Sequence, residues 1–160
     1  MTTWDAAALA GSLAGMGLPV TATGAKEVDF SLSGDSPDDP RPTTARVVGS
    51  GSATTLVHLD LTYPFTAPDL AAARLGGAVL APHLLLGRTE VDDDGSVHHR
   101  YAFVVDEEAG PTALVLAQVV SVLDFEQLHF GDYLEVLCGG RCEIEDFARF
   151  VEAGEASGID

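Results

Sequence analysis

Leu84–Val91 reads LLLGRTEV, Asp92–Gly95 reads DDDG, and Ser96–Asp106 reads SVHHRYAFVVD, ahead of a long apolar segment from Pro111 to Leu137. The first and third pieces have the character of strands, and an Asp-rich turn ending in Gly is a strong hairpin signal, because Gly adopts positive φ at little cost. We therefore expect Leu84–Val91 and Ser96–Val105 to pair antiparallel. A hairpin feeding one long helix predicts an α+β fold.

The apolar segment behind the hairpin carries two stripes at helical spacing. One contains Leu116, Val119, Val120, Leu123, Phe130, Leu134 and Leu137, and the second contains Val115, Val122 and Phe125. Its valines would also suit a strand, but the pattern persists for longer than strands usually do, which favours a helix. Gly131 is expected to bend or break this helix and Gly139-Gly140 to end it. A short amphipathic helix follows, with Ile144, Phe147, Phe150 and Val151.

The N-terminal half predicts a helix, three strands and a second helix. Thr2 or Thr3 is expected to cap the first helix, and a strand at Glu27–Leu32 follows it. A Pro-rich and Asp-rich loop, Gly34–Thr43, precedes strands at Ala45–Gly49 and Ala53–Tyr63. The second helix begins with Thr66 as its cap and ends at Pro82. Residues 1–154 are expected to form a single α+β domain, and 155–160 a frayed acidic tail.

Composition limits the classes of function. The 160 residues carry a net charge of −17, and residues 90–160 hold 17 Asp and Glu against three Arg. An acidic surface repels phosphate backbones, so we expect no nucleic-acid partner. No apolar run of about 18 residues and no basic leader is evident, so we expect a cytoplasmic protein without a membrane partner.

The order helix, three strands, helix, hairpin, helix and short extra helix resembles the YbjN family and the wider fold of type III secretion chaperones. The similarity is clearest from Leu84 to Leu137, where that family also places an acidic, Gly-containing turn before a strongly apolar last helix. It is weaker over Trp4–Leu86, and Cys138–Asp160 has no counterpart. The resemblance implies a domain for protein–protein interaction and no catalytic residue. Secretion chaperones bind an effector in extended form and usually dimerise.

Three local features suggest chemistry, and each has a simpler interpretation. Cys138-Gly-Gly-Arg-Cys142 would suit a disulfide, a redox pair or half of a metal site, but no matched second pair exists, so free thiols are expected. His98 and His99 are neighbours in a strand and face opposite sides, so they do not share a metal. Asp92–Gly95 lacks the ligand spacing of a calcium loop and fits a turn. We therefore predict no catalytic residue, no metal and no cofactor.

The predicted function is that of a non-enzymatic, YbjN-like or secretion-chaperone-like adaptor that binds a protein partner and forms a homodimer. Large exposed apolar patches usually mark interfaces, although the helices of the chain itself would be an alternative cover. Two other roles stay open: an acidic immunity-type protein that neutralises a basic toxin, and an enzyme of unknown class that uses His58, His98, His99 or the Cys pair. The predicted interface residues are Leu116, Val119, Val120, Leu123, Phe130, Leu134, Phe147 and Phe150.

Overall fold

Helices cover one face of a six-stranded antiparallel sheet and leave the other face open, which confirms the predicted α+β class. The structure is a computed structural model that describes residues 4–32, 41–49, 54–106 and 108–157. The strand order is β1-β2-β3-β4-β6-β5. The elements are α1 (Ala6–Gly15), β1 (Val20–Thr23), β2 (Glu27–Leu32), β3 (Arg41–Gly49), β4 (Thr54–Thr66), α2 (Leu70–Leu80), a short 3-10 helix (Ala81–His83), β5 (Arg88–Val91), β6 (Ser96–Asp106), α3 (Ala113–Cys138) and α4 (Ile144–Ser157).

The predicted hairpin is confirmed. Strands β5 and β6 pair antiparallel, with Val91 opposite Val97, and Gly95 closes the turn at a φ of 86°. Strand β5 is shorter than expected, because residues 84–87 are not part of the strand. These four residues form a connector between the 3-10 helix and β5, and the connector lies against α3.

The helical interpretation of the long apolar segment is also confirmed, since α3 runs without interruption from Ala113 to Cys138. The expected break at Gly131 is wrong. Gly131 instead lets α3 approach the sheet closely, because a Cβ atom there would lie 3.2 Å from Cε1 of the buried Tyr63. The helix ends as predicted at the glycine pair, with Gly140 at a φ of 68°.

The core lies between the covered face of the sheet and the helices. Helix α1 packs on β1 and β2, α3 on β4 and α2 on β5, whereas α4 packs on α2 and α3. The small residues of α2 serve this internal packing, because a Cβ on Gly77 would lie 3.2 Å from the backbone oxygen of Thr89. The 26-residue α3 has the length and mean hydropathy, 1.3, that a membrane-spanning helix also has, and its buried side is part of this core.

Several predicted boundaries are wrong for local physical reasons. Strand β1 was not expected, because most of its side chains are exposed and show no alternation. Strand β3 begins at Arg41, inside the expected loop, and 33–40, 50–53 and the predicted Thr caps of the first helix lie outside the described residues. The caps are aspartates: Asp5 accepts from the Ala8 amide at 2.9 Å, and Asp69 caps α2. Helix α4 extends to Ser157, into the expected tail.

Candidate protein-binding surface

The predicted partner interface consists of the inner face of α3 together with Phe147 and Phe150 of α4, and the chain itself buries most of it. Seven of the eight predicted residues are buried, and Phe150 is half-buried. A partner cannot reach the seven in the folded protein, so this choice of interface residues is corrected: they are core. The buried residues are Leu116, Val119, Val120, Leu123, Phe130, Leu134 and Phe147.

The second stripe of α3 faces outward and is only partly covered. Leu114, Val115 and Phe125 are 68%, 44% and 57% exposed, and Val122 is half-buried among them. Exposed apolar side chains are unremarkable singly, but these occupy one side of a single helix within three turns. The uncovered part of α3 is therefore its N-terminal half.

Helix α4 packs against the C-terminal half of this outer stripe, where Tyr133 remains 44% exposed. Its Phe150 stacks on Tyr133 and lies 6.4 Å, between ring centroids, from His129. One turn further along α4, Gly154 approaches His129 so closely that a Cβ there would lie 2.9 Å from the imidazole Nε2. Residues later in α4 thus contact residues earlier in α3, so the two helices run antiparallel. Since α4 ends at Ser157, about 4.5 Å beyond Gly154, it stops near the level of Phe125.

The connector adds one more apolar side chain beside α3. Leu85 is 75% exposed, and its backbone amide donates to Oε1 of Glu126, the residue that follows Phe125 in α3. We call the set Leu85, Leu114, Val115, Val122 and Phe125 the outer α3 surface. It combines two elements that the sequence separates by about forty residues, a relationship that only the fold creates.

A buried carboxylate holds this connector in place. Glu126 of α3 is 1% exposed, and its Oε1 accepts hydrogen bonds from the backbone amides of both Leu85 and Leu86, the latter at 3.1 Å. On the other side, Nε2 of the buried His99 donates to the Leu86 carbonyl oxygen at 2.8 Å. Because a carbonyl oxygen only accepts, this nitrogen carries the proton. Glu126 and His99 together anchor the base of the outer α3 surface.

Burial shifts the titration of these two groups in opposite directions. It raises the pKa of Glu126, and the two backbone amides oppose the rise. It lowers the pKa of His99, and the hydrogen bond to Leu86 opposes the fall. Glu126 was missed as a core residue because it is charged. Its spacing of three residues from Leu123 and four from Phe130 places it on the buried stripe, and that periodicity could have found it.

The open face of the sheet is polar and lines a cavity of about 880 Å³. Its centre is a network around Arg100 of β6, which contacts Asp60 at 2.9 Å, Asp92 at 3.1 Å and also Glu90. The guanidinium lowers the pKa of Glu90 and of Asp92 by hydrogen bonding. The arginines of this network are thus neutralised by carboxylates, which is the usual state of a solvated sheet face.

The histidines occupy the faces expected from strand alternation. His98 lies on the open face, with Nδ1 2.7 Å from Asp60, whereas His99 faces the core. His58 is exposed on the open face opposite Ala102. Within the described ranges no three His, Cys, Asp or Glu side chains are arranged to hold a metal ion. The structure therefore does not bring the candidate histidines together as one site.

Both cysteines are unpaired thiols in the structure. Cys138 is the last residue of α3 and is buried, and its burial raises its thiol pKa to about 11. Cys142 is less buried, and its pKa is also raised, by burial and by the nearby Asp146 and Glu143 carboxylates. A raised pKa disfavours the reactive thiolate, and the Arg141 charge only partly opposes the rise at Cys142.

The charged residues of α3 and α4 are mostly acidic. Helix α3 contains no Lys or Arg, and residues 113–157 hold nine Asp and Glu against Arg141 and Arg149. Arg149 pairs with Asp146 at 3.2 Å, and Arg141 lies 3.8 Å from Glu135. The uncovered half of α3 is thus apolar, with Asp124 as its one charged residue.

No family model matches this chain, and no curated protein is similar to it.

Proposed function

We propose that this chain is a non-enzymatic protein-binding domain and that it binds its partner through the outer α3 surface. The observation that carries the proposal is the exposed N-terminal half of α3, where Leu114, Val115 and Phe125 lie beyond the part of the stripe that α4 contacts. Burial of this apolar area by a partner would contribute at roughly 25 cal/mol per Å². No catalytic residue is needed for such a role.

The resemblance to YbjN-like and secretion-chaperone-like adaptors gives the proposal its second support. The helix, strand and hairpin order expected from that resemblance recurs in α1, β2–β4, α2, β5–β6 and α3, with β1 and α4 as additions. Membership of the family is a proposal, and so is the adaptor role, because a shared fold does not specify a function.

The homodimer remains a prediction, and it now requires different residues from those first chosen. Two copies would have to meet through their outer α3 surfaces, since the inner stripe is core. Such contact brings two acidic helices together, so added salt should strengthen the dimer by screening their repulsion. Sedimentation velocity at about 50 mM and about 500 mM NaCl would measure this.

A site-specific photo-crosslinker tests the proposed function in the cells that naturally express the protein. We expect benzoylphenylalanine in place of Phe125 to give one or a few defined adducts, whose masses identify the partner or a second copy. The same crosslinker in place of Val104, which is 65% exposed on the opposite side of the sheet, is the control. Equal adducts at both positions, or none at Phe125, would argue against binding through this surface.

A further inference from the structure

We infer that the outer α3 surface binds a basic amphipathic helix of a partner protein, lying antiparallel to α3 and end to end with α4. The inference rests on the proposed function and specifies the chemistry of the partner. It follows from the direction of the uncovered apolar stripe and from the sign of the charges on α3 and α4.

The shape argument comes from α4 itself. This helix already packs antiparallel on the outer stripe of α3 through Phe150, against His129 and Tyr133. The stripe continues beyond the end of α4 with Phe125, then Val122, and then Val115. These positions repeat at intervals of three and seven residues, so a second helix on the same line meets the same kind of ridge. The uncovered segment, Ala113–Phe125, is about 20 Å long and suits a partner helix of about the same length.

The charge argument selects the partner's polar residues. The charged side chains on α3 are all acidic, with Asp124 on its uncovered half, and the two arginines of residues 113–157 lie within 4 Å of carboxylates of this chain. In addition, the last turn of α4 has no basic residue to offset the negative end of its helix dipole, which points toward the groove. Lys or Arg on the flanks of a partner helix would pair with the acidic side chains of α3 and with the negative end of the α4 dipole. A second copy of this chain would instead add further acidic charge.

Synthetic helical peptides provide a direct test on the full chain. We would compare three peptides of about 14 residues that differ only in pattern: leucines with Lys flanks, the same leucines with Glu flanks, and Gln in place of leucine with Lys flanks. Fluorescence anisotropy should show the leucine and lysine peptide binding at least about tenfold tighter than either of the others. Raising NaCl from about 50 mM to about 300 mM should weaken it about fivefold.

Matched variants locate the binding. Phe125→Asp and Val104→Asp add the same negative charge on opposite sides of the sheet, so electrostatic attraction alone would strengthen both. We expect Phe125→Asp to weaken binding at least about tenfold and Val104→Asp to change it by less than about twofold. Val115→Asp replaces Phe125→Asp if circular dichroism shows that the latter does not fold.

Distinct outcomes separate this inference from the proposed function. Equal binding of the Glu-flanked peptide, lost in Phe125→Asp, would overturn the basic partner and leave the protein-binding surface intact. If the Gln peptide bound as tightly as the leucine and lysine peptide, the attraction would be electrostatic and would not need the apolar stripe, which would overturn the inference. Failure of all three peptides to bind would overturn it as well. A stable homodimer that excludes the lysine peptide would also overturn it, whereas loss of the crosslink at Phe125 counts against the proposed function itself.

Discussion

The carboxylate Oε2 of Glu126 on α3 lies 3.3 Å from the imidazole Nε2 of His99 on β6, and the two side chains are 1% and 2% exposed. Both groups bind the connector between the 3-10 helix and β5: Glu126 accepts from its amides, and His99 donates to the carbonyl oxygen of Leu86. Covalently distant elements are thus joined by buried polar contacts beneath the exposed Leu85. An unpaired buried polar group is costly, so these contacts fix the connector in one position.

Replacing Glu126 with Gln should change how stability depends on pH. Burial raises the pKa of Glu126 above its ordinary value of 4.5, so the folded protein keeps this proton to higher pH than the unfolded chain. The stabilisation is complete below the unfolded pKa and is lost as pH rises through the folded pKa. We therefore expect the unfolding free energy of Glu126→Gln, relative to wild type, to increase with pH and then level off. Urea titrations between about pH 4 and about pH 8 would measure it.

Glu152→Gln on the exposed side of α4 is the matched control for the loss of one carboxylate. His99 contributes to the unfolding free energy of both wild type and Glu126→Gln, with the opposite dependence on pH. Its pKa is lowered, so its contribution is complete above the unfolded value of 6.5 and is lost as pH falls. A constant difference between Glu126→Gln and wild type would contradict the buried, raised-pKa carboxylate.

Two phenylalanines of α3 should respond very differently to truncation. Phe130 is 5% exposed, and Phe130→Ala should cost about 3–5 kcal/mol through lost burial and a cavity. Phe125 is 57% exposed, and Phe125→Ala should change stability by less than about 0.5 kcal/mol. Chemical denaturation of both variants would measure this. Equal losses would mean that the outer stripe is also part of the core.

Two glycine-to-alanine substitutions should change the unfolding free energy in opposite directions. Gly87 adopts a φ of 74° beside the Arg100 backbone, so Gly87→Ala should destabilise the protein by about 1–3 kcal/mol. Gly11 lies inside α1 with open space around it, so Gly11→Ala should stabilise by about 0.5–1 kcal/mol. Thermal and urea unfolding would compare the two. A neutral Gly87→Ala would show that the connector adapts more freely than its contacts indicate.

The two thiols should react at different rates. Cys138 is buried and its pKa is raised to about 11, whereas Cys142 is less buried. In the folded protein iodoacetamide should modify Cys142 first, and both should react equally after denaturation. Mass spectrometry of timed samples under reducing and non-reducing conditions would follow each site. A disulfide resistant to reduction in native protein would overturn the prediction of free thiols.

Local sequence patterns were sufficient to predict the hairpin and α3. The Asp-rich turn, alternation from Val97 to Val105, and the stripe on α3 each depend on residues close in sequence, so their signals are readable without a fold. Strand β1 could not be found in this way, because it is short and exposed and exists through its pairing with β2. Glu126 was missed for the opposite reason: its charge concealed a buried position.

Periodicity and composition were enough to predict the α+β class, the hairpin, the two stripes of α3 and the acidic charge, because they are properties of neighbouring residues. Which stripe remains exposed was decided by the tertiary structure. Leu116 and Phe130 are as apolar as Val115 and Phe125, and only the positions of the sheet and of α4 distinguish them. Leu85 joins Phe125 on one surface because Glu126 binds the connector from inside. Contacts between distant segments therefore made the candidate surface, and local pattern carries no information about them.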